Sequence, residues 1–223
     1  ILFLTIGGVA YYAWHTFSKS IQSMHDELNR ESALREEQVH LSNAEPFSVL
    51  LVGVDKRKGD SGRSDTMIVL TVNTNKIEMV SIPRDTKVAI PGYGYNNKIN
   101  AAYSYEGTKG AVNIIQSYLD VPVDYYVEMN MKGLEELSAA VGPVKVENDL
   151  EFTNANKTFE KGTVTIDEDN ILAYTRMRYE DPRGDYGRQL RQRMVLEALV
   201  KKIATIGSVT KYQSILNAIS SNM

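Results

Sequence analysis

The stretch Phe47–Val54, FSVLLVGV, is a short apolar run of strand type that ends against a carboxylate, Asp55. Outward from it, Thr66–Val72 (TMIVLTV) is a second such run, and Ile77–Ile82 is a third, broken by Pro83. Thr108–Leu119 carries Ala111, Ile114, Ile115 and Tyr118 on one helical face. Val123–Met129 reads as a fourth strand, and Met131–Val141 as a helix stopped by Gly142-Pro143. Val144 and Val146 begin a short strand, and the polar stretch Asn148–Gly162 reads as an exposed loop or hairpin. Asp167–Tyr174, Gly187–Ile206 and Ser208–Ser220 have helical patterns. Strands interleaved with helices specify a layered α/β domain.

Upstream of this domain, Ile1–Trp14 (ILFLTIGGVAYYAW) is almost wholly apolar, too short for a full membrane span and closed by Tyr11, Tyr12 and Trp14. No small-x-small cleavage pattern follows, so residues 1–15 are expected to be part of a membrane anchor. Residues 16–45 are polar, helix-prone and mixed in charge, the pattern of a solvated stalk. Residues 46–223 form the expected globular domain, and the last helix reaches the end of the sequence without a stop signal.

Composition restricts the chemistry. The 223 residues are 43% hydrophobic and 24% charged, enough for one domain with a core. A net charge of −3 gives no support to a nucleic-acid partner. There is no cysteine, and the three histidines, His15, His25 and His40, all precede the first strand. A Ser-His-Asp triad, a Cys-His pair and an HExxH zinc site are therefore excluded from residue 46 onward. Carboxylates, Arg, Lys, Tyr, Ser/Thr or a hard metal ion are left.

Asp55 ends the first strand, and Arg63-Ser64-Asp65 precedes the second, across the loop KRKGDSGRS. Two carboxylates at strand ends can hold one Mg²⁺ beside a phosphate; the plainer alternatives are a cap, a turn or a surface ion pair. Pro83 takes the chain out of the third strand and presents Arg84 at the sheet edge, where pairing with Asp85 is the competing role. Lys98 and Asn100 follow a Gly/Pro-rich loop and can reach a sugar or a phosphate, and Tyr93, Tyr95, Tyr103 and Tyr105 can stack on sugars or fill strand surfaces.

The arginine-rich segment is the strongest signal. Arg176, Arg178, Arg183, Arg188, Arg191 and Arg193 fall close together, with Asp181, Asp185 and Glu180 as local counter-charges. An extended stretch puts Arg176 and Arg178 on one side. Arg188 and Gln192 continue the inward line of Val195, Leu199 and Ile203, so they point inward from the first turn of the long helix. A cation at that electropositive end is misplaced unless an anion binds there. Arg183 and Arg193 read as surface residues.

LLVGVD, RSDTM, SIPRDT, IPGYGYNNKINAAY and YTRMRYED with DYGRQLRQR, in this order, resemble the LytR-CpsA-Psr family from about Phe47 to about Ile206. The resemblance implies a mixed sheet covered by helices, with an apolar groove for a polyprenyl chain. It implies phosphotransfer of an anionic glycopolymer, such as wall teichoic acid, from undecaprenyl pyrophosphate to the 6-hydroxyl of N-acetylmuramic acid in peptidoglycan. It implies Asp55 and Asp65 as Mg²⁺ ligands (Mn²⁺ being an alternative), and Arg63, Arg84, Arg176, Arg178, Arg188 and Gln192 as the pyrophosphate cluster. Lys98 joins the cluster on position, and Asp65 or Asp85 is the candidate base. The implied setting is a Gram-positive-type envelope, with a single-pass anchor and the domain outside the membrane. A pyrophosphatase acting on the lipid donor and a non-catalytic receptor for anionic wall polymers are the rival readings. Groove candidates are Ile114, Ile115, Tyr118, Leu134, Leu137, Leu199 and Ile203, each of which also fits an ordinary core.

Overall fold

Strand β1 (Phe47–Asp55) alternates strictly between half-buried and fully buried positions, so its two faces meet different surroundings. The computed structural model describes residues 34–35, 39, 45–55, 62–73 and 76–205. The expected anchor, most of the stalk and the final helix lie outside the described residues. Among the described residues, no helix is long and apolar enough to cross a membrane.

β2 (Arg63–Val72) pairs antiparallel with β1, and β3 (Ile77–Ser81) pairs antiparallel with β2. A hairpin, β4 (Lys87–Ile90) with β5 (Gly94–Lys98), leads into α1 (Ala101–Leu119). β6 (Tyr125–Asn130) then returns parallel to β1, completing a mixed sheet of order β3-β2-β1-β6. α2 (Met131–Val141) follows, then β7 (Val144–Asn148), the hairpin β8 (Phe152–Asn154) with β9 (Lys157–Phe159), β10 (Gly162–Ile166), α3 (Ile171–Arg176) and α4 (Asp185–Thr205).

Leu50, Val52, Val54, Met67 and Val69 form the buried face of the sheet and pack with Ala111, Ile114 and Ile115 of α1. Each Val, Leu, Ile or Met side chain among them contributes roughly 1.5–3 kcal/mol on burial. A second core, with Leu137, Val141, Val146, Val195 and Leu199, joins α2, α3 and α4 to β7–β10 on the other side. Met129 of β6 packs against it, but Val49, Leu51 and Val127, on the same sheet face, stay only half-buried. The sheet is therefore sealed on the α1 side and partly open on the α4 side.

Several expectations are corrected. α1 begins at Ala101, not Thr108, with a break at Gly107 (φ 62, ψ −147), where only glycine is unstrained. Residues 101–106 form a first segment whose Ala-Ala-Tyr-Ser-Tyr pattern had no helical periodicity to read. The helix expected at Asp167–Tyr174 starts at Ile171, after a turn in which Asn170 accepts from the Asp167 N–H. Asn148–Gly162 is a hairpin, but not wholly an exposed one. Phe152 and Phe159 turn inward and meet Tyr174 at ring distances of 5.6 and 5.1 Å. Burial there pushes the Tyr174 hydroxyl up to about 12.

Candidate active site

The site begins with an irregularity between β1 and β2. Gly53 pairs with Thr66 and Val54 with Ser64, so Asp65 has no partner on β1. This β-bulge re-aims the Asp65 side chain and frees its backbone carbonyl. Gly53 allows it, because a Cβ there would sit 2.9 Å from the Thr66 Cβ. Arg63 and Asp55 are cross-strand partners beyond the bulge. Arg63 and Asp65 thus belong to the strand itself, not to the loop before it.

Asp65 is held from two directions. Arg84 Nη1 donates to its Oδ1 at 2.9 Å, and Arg188 Nη2 lies 3.4 Å from its backbone oxygen. Arg84 stands in the turn that Pro83 opens, closed by the Thr86 N–H and hydroxyl on the Pro83 carbonyl. Its Nε is 3.8 Å from Asp85, so Asp65, not Asp85, is its main partner. Burial draws the Arg84 pKa down, but the hydrogen bond and charge of Asp65, with Asp185 and Asp85, outweigh this and hold it above the ordinary arginine value. Asp85 is 52% exposed and ion-pairs with Lys98 of β5 at 2.5 Å. That hydrogen bond, with the charges of Lys98, Arg84 and Arg178, outweighs burial and holds the Asp85 carboxyl below its usual range. Asn100 is buried at the start of α1, where its N–H donates to the Arg84 carbonyl at 3.3 Å.

The other half of the site comes from the α3–α4 connection. Arg176 is the last residue of α3, so it does not share an extended strand with Arg178. Arg176 still comes within 4.0 Å of Asp55. Arg178 leans on the Tyr179 ring at 4.8 Å and is close enough to act electrostatically on both Asp85 and Arg188. Arg188 points inward, as the helical spacing predicts, with a side chain only 11% exposed. It reaches within 2.6 Å of Asp185, but its buried Nε has no hydrogen-bond partner. Burial chiefly, then Arg84 and Arg178 against the opposing pull of Asp185 and Asp65, lowers its pKa. Gln192 also points inward, and its half-buried amide lies 3.4 Å from the Thr175 carbonyl.

Asp181 fixes this connection. Its fully buried carboxylate receives Arg183 Nε at 2.9 Å and Arg191 Nη1 at 2.7 Å. Arg191 is 1% exposed, donates to the Met177 carbonyl at 2.7 Å and lies over the Phe152 ring. Arg183 extends the network to Asp149 at 2.6 Å, and these hydrogen bonds hold the Asp181 carboxyl well below the usual range. Gly187 leaves room for Asp181: a Cβ there would fall 1.9 Å from Oδ2. Arg193, expected on the surface, donates to Ser81 Oγ at 2.8 Å and ties α4 to β3.

The structure therefore gathers Asp55, Arg63, Asp65, Arg84, Asp85, Lys98, Arg176, Arg178 and Arg188 at one end of the sheet. Asp185, read from the sequence as a local counter-charge, joins them through its pair with Arg188. Six basic groups face four carboxylates, which leaves room for an anion. Among the described residues no three acidic or imidazole groups lie close enough together to hold one metal ion. Asp55 and Asp65, on adjacent strands, still match the donor habit of Mg²⁺, which takes one or two carboxylates and completes its shell from substrate and water.

The half-open sheet face leads away from this end. Val72 lies seven residues along β2 from Asp65, about 23 Å at strand rise. There a cavity of about 700 Å³ opens between the sheet and α4, lined by apolar Val72, Ile77, Met79, Leu190, Met194 and Val200 together with polar Asn73, Lys76, Arg193, Glu197 and Lys201. The groove residues expected from sequence lie elsewhere. Ile114, Ile115, Leu137 and Leu199 are core, Leu134 and Ile203 pack against the second core, and Tyr118 is exposed. The open face was hidden because both faces of β1 and β2 are apolar, which erases the period-two signal.

The model of the LytR_cpsA_psr family matches residues 11–223. The polyisoprenyl-teichoic acid–peptidoglycan teichoic acid transferase TagU of Bacillus subtilis is 43% identical over 225 residues, covering 100% of this chain and 73% of that protein. The crystal structure of B. subtilis TagU is similar with a TM-score of 0.66, covering 80% of this chain and 75% of that one at 43% identity. TagT bound to LIIa-WTA gives a TM-score of 0.68 at 30% identity, covering 86% of this chain and 81% of that one.

Proposed function

This chain belongs to the LytR_cpsA_psr family, and from that premise we propose that it transfers a teichoic-acid-type glycopolymer from undecaprenyl pyrophosphate to the 6-hydroxyl of N-acetylmuramic acid in peptidoglycan. The observation that carries the reading is the convergence of Arg84, Arg176 and Arg188 on Asp55 and Asp65, with Arg178 acting on Arg188 and Asp85, at one end of an apolar sheet face with a cavity at its other end. A polar head and a long isoprenoid tail need that pairing of environments. The name of the TagU relative supports the polymer class.

Guanidinium forks from Arg84, Arg176 and Arg188 hold the two donor phosphates, with Arg63, Arg178 and Lys98 adding positive charge around them. The acceptor oxygen bonds to the glycan-linked phosphorus while the bond from that phosphorus to the bridging oxygen breaks. Polyprenyl phosphate leaves with the electron pair. Asp85 takes the acceptor proton: one oxygen of each carboxylate is already engaged, Asp65 by Arg84 and Asp85 by Lys98, but Asp85 is the more exposed of the two and is held ionised. Such a carboxylate is a weak base, but a loose phosphoryl-transfer transition state asks little of one. Asp55 and Asp65 would hold Mg²⁺ or Mn²⁺, which offsets charge on the phosphate oxygens when bound. Residues 1–15 would anchor the chain, with this domain on the outer side of the membrane.

A purified transfer assay tests the reading, using lipid-pyrophosphate-linked glycan as donor and peptidoglycan oligosaccharide as acceptor. A phosphodiester-linked product is expected. Release of glycan phosphate without attachment would favour the pyrophosphatase. Full cellular activity after Asp65→Ala would favour the receptor.

A further inference from the structure

On the reading just given, which this inference deepens, we propose that Tyr93 and Tyr105 form a sugar-stacking subsite for the acceptor glycan at the rim of the phosphate site. Their rings stack in parallel, with centroids 4.1 Å apart and planes within 3°. Both are nearly half exposed, so the pair is not core filling. Asn97 locks it: its amide donates to the Tyr93 and Gly94 carbonyls at 2.9 and 3.2 Å, and its oxygen accepts from the Tyr105 hydroxyl at 3.2 Å. Tyr95, on the same hairpin, is 86% exposed. A preordered aromatic surface with polar edges suits a pyranose, whose C–H face lies on the ring while its hydroxyl and acetamido groups find hydrogen bonds.

The platform adjoins the reacting groups on two sides. Ser104, next to Tyr105, donates to the Gly62 carbonyl at 2.7 Å, directly before Arg63. Lys98, at the end of the same hairpin, pairs with Asp85, which borders Arg84. Its position favours the acceptor over the donor. Val88, Ile90 and Ile99 root the hairpin in the core on the α1 side, opposite the open face that leads to the cavity. Attacking and leaving oxygens lie roughly in line across the transferred phosphorus. With the lipid phosphate leaving toward the open face, the acceptor hydroxyl arrives from the hairpin side.

Calorimetric titration tests this with a soluble tetrasaccharide of alternating N-acetylglucosamine and N-acetylmuramic acid. Tyr93→Leu and Tyr105→Leu are each expected to weaken it about tenfold, and Tyr93→Phe, which keeps the ring, to bind like the parent. Affinity for a polyprenyl-pyrophosphate-linked disaccharide should not move. Unchanged tetrasaccharide affinity in both Leu variants, or a loss confined to the donor, overturns the subsite. Both positions are surface ones, and Tyr105→Leu carries the test should Tyr93→Leu lower Tm. Because binding is read apart from turnover, a chain that bound the tetrasaccharide through these rings yet transferred nothing would sink the proposed reaction and leave the subsite standing.

Discussion

Arg84 Nη1 donates to Asp65 Oδ1 at 2.9 Å, joining the turn after β3 to a bulge in β2. Both side chains remain partly exposed, so the pair adds little to stability and is open to a ligand. Arg84→Ala should leave Tm within a few degrees of the parent and lower transfer by about a hundredfold or more, as for loss of a donor to transition-state charge. Thermal unfolding and initial rates on one preparation check it. Parent-like turnover would remove Arg84 from the mechanism.

Arg188 separates stability from function. Its buried, unpartnered Nε at an electropositive helix end is a cost in the free protein. Arg188→Met should therefore keep or raise Tm while abolishing transfer. Inorganic pyrophosphate should raise the parent's Tm and leave the variant's unchanged. A large stability loss in Arg188→Met would show that the guanidinium serves the fold instead.

Much of this was legible beforehand, for identifiable reasons. The strands β1, β2 and β3 declare themselves as apolar runs, and the inward aim of Arg188 follows from its spacing to Val195 and Leu199. The bulge at Asp65 was not legible, because it depends on how closely Thr66 approaches Gly53 across two strands. Nor was the division among arginines. Arg191 and Arg188 are three residues apart, yet one is fully committed to Asp181 and the other faces the site, a difference set by where residue 181 folds back. The hairpin β4–β5 went unread because the alternation of β4 spans only four residues and β5, GYNNK, has no apolar alternation at all.

Asp181 should matter for folding and, through position, for activity. Asp181→Asn weakens the buried charge pair with Arg191 and the bonds from Arg183, with an expected loss of about 3 kcal/mol at neutral pH. The carboxyl is depressed in the folded state, so its stabilisation is fully present above the unfolded value of about 3.9 and is lost as pH falls through the folded one. Urea midpoints of parent and variant should converge as pH drops below that value. A constant difference down to acid pH would contradict the assignment.

Gly187→Ala tests the same contact from the helix side. Its Cβ would overlap the Asp181 carboxylate, so the first turn of α4 must shift and carry Arg188 with it. Transfer should fall by about tenfold or more, in line with the sensitivity of positioned groups to small displacements. Crystal structures of parent and variant would show whether Arg188 has moved.

Lys98→Ala should move the acid limb of the kcat/KM profile upward in pH. The hydrogen bond from Lys98 is the largest influence holding the Asp85 carboxyl down, and its removal lets the pKa rise toward the ordinary value. An unmoved limb would take the proton-accepting role away from Asp85.

The most direct measurement is a crystal structure of this chain with a short-chain polyprenyl pyrophosphate glycan bound. Two phosphorus centres should lie within reach of Arg84, Arg176 and Arg188, with the lipid running along Val49 and Leu51 toward the cavity at Val72. Phosphates seated away from these guanidinium groups, with the Arg84–Asp65 pair undisturbed, would contradict it.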